Sequence, residues 1–486
     1  MTSWIIRALF ALFVLAPAFA AEPPIVVGAV VSQTGMLADL ADGYRKGLLV
    51  WQDEVNAAGG VRGRNVELRL LDDGSEAARN SALYQQLIRD DKADALIGPY
   101  GTAATLMAAA EAEKTRHVMV NGAGSSVAVH RRLPRYVFQS AVPYAAFGAG
   151  VLQIAGEQGY RSLLILARDD MVSQEMAEAA RESALKQGFT VGPVETYGGE
   201  VDNYVLQVVK AINAEADAWI AFGQPRDAAD MVKTLKRVGF APKLFFARAA
   251  ADPKFIELVG QDAEFSLAAA EYHPRLKTNG NDRFVKLYSQ KWSSPPNTAA
   301  AQGYAAGTVL GEALRRAGSA DQEKLRAALA ALELDTVLGR YKVDPKTGEQ
   351  TGIKAAVVQI ETGRPLAVWP PELRAAKPVL PYPQWRERQL LNFFHGELGP
   401  LIGRSLVSVL EPSPERLSLR LRQTLGCLLE GDSEKQVAAR LNLSHATTHQ
   451  YVTALYRRFR VQSRAQLLAH VMRRMGQGLW RRLAPG

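Results

Sequence analysis

The chain has 486 residues, 48% apolar and 22% charged, which excludes a disordered protein and is too long for one ordinary domain. Its net charge of +9 is concentrated: residues 385–486 hold 16 Lys and Arg against 7 Asp and Glu, whereas residues 1–384 hold 42 of each. From Lys435 onward there are ten basic residues and no acid, the footprint of a polyanion partner rather than of a solvated helix face, where signs mix. The single cysteine, Cys427, excludes an internal disulfide and sits among leucines in LRQTLGCLLEG as a small core residue. The seven histidines are scattered, with no Cys or carboxylate at ligand spacing, so no metal and no cofactor is expected.

Residues 1–20 read as a signal peptide, with Arg7 in a short basic start, an apolar run from Ala8 to Ala16 and Ala18-Phe19-Ala20 as the cleavage motif. That run is too short to span a bilayer, and no later segment reaches the roughly 20 apolar residues that spanning requires. From Ile25 to about Trp369 strands alternate with amphipathic helices: IVVGAVV, a helix with Tyr44, Leu48, Trp51 and Val55 on one face stopped by AAGG, NVELRLL, a helix around ALYQQLIR, ALIG, a helix from Thr102 to Lys114, and HVMVN. After YVFQSAVPY the rhythm restarts with SLLILA, the helix SQEMAEAARESALKQG, FTVGPVE, a helix near VLQVVKAIN, AWIAFG, another helix and KLFFA. Residues 264–332 return to one strand and three helices, and GIKAAVVQI with RPLAVW closes the series. The pattern predicts two doubly wound lobes with parallel sheets, and ADALIG (93–98) echoes ADAWIA (216–221) at comparable points of each. Pro-rich WPPELRAAKPVLPYPQW then marks a boundary, and residues 417–475 are purely helical in pattern.

In parallel sheets ligands bind beyond the carboxyl ends of the strands, where helix N-termini offer spare N–H groups. Five polar, small-residue loops fall there: SQTG (32–35), GPYGT (98–102), NGAGSS (121–126), RDD (168–170) and GQ (223 and 224). Any one of them is an ordinary turn, but five together suit a small carboxylate guest. No phosphate loop, nucleophile elbow or H-E-x-x-H motif is present, and no nucleophile, base and orienting acid assemble, so no enzyme is expected.

These loops, with SQTG, IGPYGTAAT and AAAQGYAAGTVLGEALRRAG, resemble the type I periplasmic solute-binding proteins, the Leu/Ile/Val-binding branch that feeds ABC importers, over Glu22 to Trp385. The resemblance implies a two-lobed clamshell over residues 22–384 that closes on one small molecule. Carried over by position, Thr102, Ser125 and Ser126 would hold the ligand carboxylate, with Asp170, Gln224 and Tyr304 near the cleft. Two departures bear on the ligand. The family's Asp-Asp-x-Tyr-Gly is Asp169-Asp170-Met171-Val172-Ser173 here, and its acid for an α-ammonium after KLFFA is replaced by Arg248-Ala249-Ala250. An amide, an organic acid or an aromatic acid stays open beside an amino acid.

At the other end, four helices fit residues 417–475. The first carries Leu421, Leu425 and Leu428 and ends at Gly431; capping boxes pair Ser433 with Gln436 and Ser463 with Gln466. Between them Thr448, Val452, Leu455 and Phe459 form a buried stripe, leaving Ala446, Gln450, Thr453 and Arg457 on the opposite face and His445 and His449 flanking it. Such a face suits the major groove of double-stranded DNA, where Gln pairs with adenine and a methyl meets thymine. The stretch LSLRLRQTLGCLLEGDSEKQVAARLNLSHATTHQYVTALYRRFRVQSRAQLL resembles the LuxR-type (GerE-type) helix-turn-helix across its length. The resemblance puts Lys435 and Arg458 near phosphates and Ser444, Thr447 and Tyr451 at the backbone-contacting edge, with the helical module spanning residues 417–486 and a linker with a short helix over 385–416. Gln423 stands where the family has Glu, Asn442 and Arg460 where it often has Gly, and Thr448 where it prefers Val; Arg460 then sits in a left-handed position.

Two roles follow. One is a ligand-sensing, DNA-binding transcription regulator, which works in the cytoplasm. The other is an exported receptor for an importer of amino acids or amides, periplasmic by its signal peptide, partnered by an ABC permease and carrying a passenger module. Modules of this type commonly bind DNA as dimers, and the amphipathic stretch near 388–410 is a candidate for pairing two copies into a homodimer.

Overall fold

The computed structural model describes residues 22–198, 201–385, 388, 418–429, 432–464, 466, 467 and 470. The segment read as a signal peptide, the stretch near 388–410 beyond Arg388 itself, and the helix end at Gly431 lie outside the described residues. Two compact units emerge. The first holds the chain up to Tyr144 together with Glu271–Lys354; the second holds Ala145–Ala270 and the chain from Ala355 onward.

In chain order the first unit starts with β1 (Ile25–Val30), α1 (Ala38–Ala57), β2 (Val66–Leu71), α2 (Asn80–Arg89), β3 (Ala95–Ile97), α3 (Thr102–Thr115), β4 (Met119–Asn121) and β5 (Val137–Gln139). Its strands pair in parallel in the order β2-β1-β3-β4-β5, with Val27 opposite both Leu68 and Ala95. The face expected for the first helix is the one buried: Tyr44, Leu48, Trp51 and Val55 are all less than a tenth exposed.

The second unit follows with α4 (Ala149–Glu157), β6 (Ser162–Arg168), α5 (Met171–Lys186), β7 (Thr190–Val191), β8 (Glu195–Tyr197), α6 (Val205–Asn213), β9 (Ala218–Phe222), α7 (Pro225–Val238), β10 (Leu244–Ala247), α8 (Pro253–Val259) and β11 (Leu267–Ala270). The chain then returns to the first unit for α9 (Asn281–Trp292), α10 (Thr298–Ala317), α11 (Gln322–Ala331), β12 (Leu334–Thr336) and β13 (Gly339–Tyr341), and ends the second sheet with β14 (Ala356–Glu361) and β15 (Arg364–Trp369). That sheet runs β15-β14-β11-β10-β9-β6-β7, with β8 also on β6, so the doubly wound order of the first unit is repeated around β6. FTVGPVE, read as one strand, divides at Gly192-Pro193 into β7 and β8, which pair with different parts of β6. The β12–β13 hairpin went unread because its strands are three residues long and carry no alternation.

The repeated ADA motif has a structural job. Asp94 accepts the backbone N–H of Val26 at the start of β1 (2.9 Å), and Asp217 accepts those of Arg161 (2.8 Å) and Ser162 (3.1 Å) at the start of β6. Glycines in AAAQGYAAGTVLGEALRRAG let α10 lie directly on α1: a Cβ at Gly303 would stand 2.2 Å from the Tyr44 carbonyl oxygen.

The Pro-rich stretch is packed against the second unit rather than free. Tyr382 is 1% exposed with its ring centroid 5.4 Å from that of Phe245, and the indole N–H of Trp385 donates to the Phe240 carbonyl (2.8 Å). The Arg388 guanidinium lies 3.7 Å from the centroid of Tyr382 and 4.0 Å from that of Trp385. The chain therefore stays attached past residue 384, where the linker was expected to begin.

Three helices of the C-terminal module are described: α12 (Leu419–Leu429), α13 (Glu434–Leu441) and α14 (His445–Phe459). Leu425, Leu428, Val437, Val452, Leu455 and Leu467 form its core, and Cys427 packs there as a small buried residue, as expected. Among the described residues, no helix is long and apolar enough to cross a membrane.

Candidate functional site

In the first unit β1 sends its crossovers in opposite directions, to β2 and to β3, so a crevice opens beyond its carboxyl end. The loops SQTG, GPYGT and NGAGSS all leave strands at this edge. SQTG is already partnered: Ser32 donates to Asp73 (2.7 Å), Thr34 donates to Asp72 (2.7 Å), and the Gln33 N–H donates to Asp72 (2.8 Å). Burial pushes the Asp72 carboxyl up, but the Thr34 hydroxyl and the N–H groups of Gly74, Gln33 and Thr34 outweigh it and hold it at about 2. Asp72 and Asp73 went unsingled in the sequence; paired acids directly after β2 were the available signal.

Thr102 opens α3 after Gly101, whose φ of +92° a side chain would disfavour. The threonine is 8% exposed, and among the described residues its hydroxyl has no hydrogen-bond partner. The Asn121 amide clips the neighbouring loop, donating to the Gly124 carbonyl and accepting its N–H, both at 2.7 Å. Gly124 lies so near α3 that a Cβ there would be 2.6 Å from the Thr105 hydroxyl. The loop's serines are thereby held beside the first turns of α3. Ser125 and Ser126 are 3% and 1% exposed, and the Ser126 hydroxyl accepts the Ala128 N–H (3.2 Å). Tyr304 is not gathered with them. Its hydroxyl donates to Glu54 in the last turn of α1, and its ring stacks on Phe284 at 4.4 Å.

In the second unit the crossovers diverge at β6, between β8 and β9. Asp170 caps α5, accepting the N–H and hydroxyl of Ser173, each at 2.8 Å. Gln224 caps α7 in a capping box with Asp227, whose carboxylate accepts the Gln224 N–H (2.8 Å). Arg168 joins the two caps, 2.9 Å from Asp227 and 3.8 Å from Asp170. Burial, and then the Asp227 charge, push the Tyr197 hydroxyl well above its usual range, so it stays protonated. Tyr197, Gly223, Gln224, Met231, Ala247 and Arg248 line a shallow depression at this edge. Sequence reading passed over Asp227, although Gln-Pro with an acid two residues on is a helix-start pattern.

In the C-terminal module Ser433 and Gln436 form the expected capping box. At the next start Gln466 donates its N–H to Ser463 as predicted, but its side chain accepts from Gln462 rather than from Ser463. Asn442 and Arg460 both adopt φ of +52°, the left-handed conformation inferred for Arg460. Thr448, Val452 and Leu455 are buried and Phe459 half-buried. Thr448 suits its buried place because its hydroxyl donates to the Ser444 carbonyl (3.1 Å). Lys435, His445, Ala446, His449, Gln450, Thr453, Arg457 and Arg458 are exposed, and Tyr451 is half-buried. Ser444 is occupied as the α14 cap: it accepts the Thr447 N–H (3.1 Å), and the two hydroxyls share a hydrogen bond (2.7 Å). His449 Nδ1 lies 3.0 Å from Glu434, which ties α14 to the first turn of α13.

Residues 24–365 match the family model described as periplasmic binding protein. The chain belongs to the periplasmic binding protein family. Residues 415–471 match the model of bacterial regulatory proteins of the luxR family, so this family member carries a C-terminal LuxR-type helix-turn-helix domain. An amino acid binding protein of Pseudomonas aeruginosa is 23% identical over 341 residues, 66% of this chain and 86% of that protein. Among solved structures, an ABC transporter substrate-binding protein from Desulfitobacterium hafniense is 23% identical with a TM-score of 0.62, covering 71% of this chain and 100% of its own. A solute-binding protein from R. palustris in complex with benzoate is 18% identical with a TM-score of 0.56, covering 73% and 99%. At such identities the structures share the fold.

Proposed function

We propose that this protein is a transcription regulator whose periplasmic-binding domain senses a small carboxylate and whose LuxR-type module binds double-stranded DNA. The observation that carries the reading is the outward face of α14, where Ala446, Gln450, Thr453 and Arg457 are all exposed while the opposite stripe anchors the helix to its neighbours. A helix presented in this way offers base-reading groups, with Lys435, Arg457 and Arg458 as positive charge for the backbone. Neither matched family is described as catalytic.

The sensing half is supported by Thr102, a buried hydroxyl without a partner among the described residues, at the N-terminus of a 14-residue helix and beside the Ser125 and Ser126 loop. A carboxylate there would accept that hydroxyl and the free N–H groups of the first turn. The ligand is an amino acid, an amide or an organic acid, in keeping with the name of the Pseudomonas relative and the benzoate of the R. palustris structure.

Fractionation of expressing cells with N-terminal sequencing tests the role. A full-length product in the cytoplasm, bound to DNA with an affinity that falls steeply with salt, is the expected outcome. A periplasmic product beginning at Ala21 would remove the regulator and leave an importer receptor.

A further inference from the structure

The large apolar side chains of α6 face solvent. Val205, Leu206, Val209 and Ile212 are between 38% and 62% exposed, and at about 100° per residue they fall within about 120° of the helix circumference. The other side of the helix is buried: Tyr204 just before it, Val208 and Ala211 belong to the core of the second unit. A helix that merely covers a core carries polar residues on its outer face, whereas α6 is apolar on both. Its one charge, Lys210, is paired with Glu195, so the outer stripe is uncharged. Asp202 before the helix and Glu215 after it are exposed acids, which disfavours an anionic membrane or a nucleic acid as the occupant.

An uncharged apolar stripe is complementary to itself, which is what a two-fold contact between identical chains needs. The rim acids stand in water, where their repulsion is screened. The chain also ends in a LuxR-type helix-turn-helix module, and such modules read half-sites in pairs about one turn of DNA apart, so two copies have to lie side by side. The size of the face sets the strength. A helix of nine residues is about 14 Å long and falls well short of the roughly 800 Å² per partner of a standard interface. Contact of that size is reversible and short-lived unless something else holds the partners together.

We infer that α6 is a homotypic contact surface through which two copies of this chain pair weakly and reversibly. The pairing goes beyond the function proposed above, and the choice of a second copy as occupant rests in part on that DNA-binding reading.

Sedimentation of the purified full chain between about 1 and 300 µM tests it, with wild type passing from monomer toward dimer at a Kd on the order of 10–100 µM. Leu206→Glu with Val209→Glu, and separately Leu206→Lys with Val209→Lys, stay monomeric over the same range. Because both side chains are exposed, these variants unfold at the wild-type temperature. Mixing the acidic variant with the basic one restores the dimer, which neither misfolding nor a different contact surface could do. A wild type that is monomeric throughout, an acidic variant that associates like wild type, or a mixture that stays monomeric would each overturn the inference. A monomeric wild type that floats with phosphatidylethanolamine–phosphatidylglycerol vesicles would overturn it too and give the face to a lipid surface. A wild type that dimerises but fails to shift a duplex of about 40 base pairs, long enough for two modules, would remove the regulator reading and leave the α6 pairing in place.

Discussion

Asp94 and Asp217 do the same work in the two units. Each stands one residue before the strand that flanks the first strand of its sheet, and each accepts N–H groups at that first strand's start. Asp217 also holds Lys243 at 2.6 Å. Asp217→Ala leaves the Arg161 and Ser162 N–H groups to find water at the sheet's edge. Urea unfolding is expected to show a loss of about 1–3 kcal/mol. A change below the error of the measurement would mean that these bonds contribute nothing net.

Acid should loosen the first unit's strand-end edge through Asp72. Its carboxyl is held at about 2 in the fold, below the ordinary value near 4 that the unfolded chain has. A depressed pKa contributes stability that is present above the unfolded value and is lost as pH falls toward the folded one. Unfolding midpoints should therefore drop between about pH 4 and 2, and Asp72→Asn should flatten that part of the profile.

The Arg168–Asp227 pair is costly to break on one side only, because Asp227 is buried and also caps α7. Asp227→Asn leaves the guanidinium without its nearest carboxylate and weakens the α7 cap, a loss of about 3–5 kcal/mol in chemical denaturation. Asp227→Leu combined with Arg168→Met should recover part of it. If the double variant is no better than the single one, the burden lies in the cap rather than the charge.

Arg388 fastens the end of the periplasmic-binding domain. Removing its guanidinium from between Tyr382 and Trp385 costs about 1–2 kcal/mol. In Arg388→Ala, limited trypsin digestion should cut faster after Arg386 and release the C-terminal module intact. Unchanged cleavage would show that the Tyr382 and Trp385 packing holds the segment unaided.

On the DNA module, Gln450→Ala and Arg457→Ala alter exposed side chains and should leave thermal unfolding almost unchanged. Gln450→Ala should relax the preference for the best site by about 1–3 kcal/mol, whereas Lys435→Ala should weaken all sequences alike and lower the salt dependence by about one. Gel-shift titrations at several salt concentrations separate the two.

The alternation of strand and helix, its restart after Tyr144, the buried faces of α1 and α14, the Ser433 cap and the placing of the five loops at strand ends were all legible in one dimension. They depend on periods of two and 3.6 residues and on cap chemistry, which are local. The same holds for the left-handed Arg460, since a helix needs a residue of positive φ where it stops.

What a polar loop does was settled only by the folded chain. SQTG and NGAGSS look alike as text, yet SQTG is tied to Asp72 and Asp73, some forty residues on, while the buried Thr102 hydroxyl beside NGAGSS has no partner among the described residues. Tyr304 found Glu54 and Phe284 for the same reason. Hydrogen-bond and charge partners are chosen by proximity in space. Residue order determines which groups are available; tertiary packing decides which of them remain free to meet a ligand.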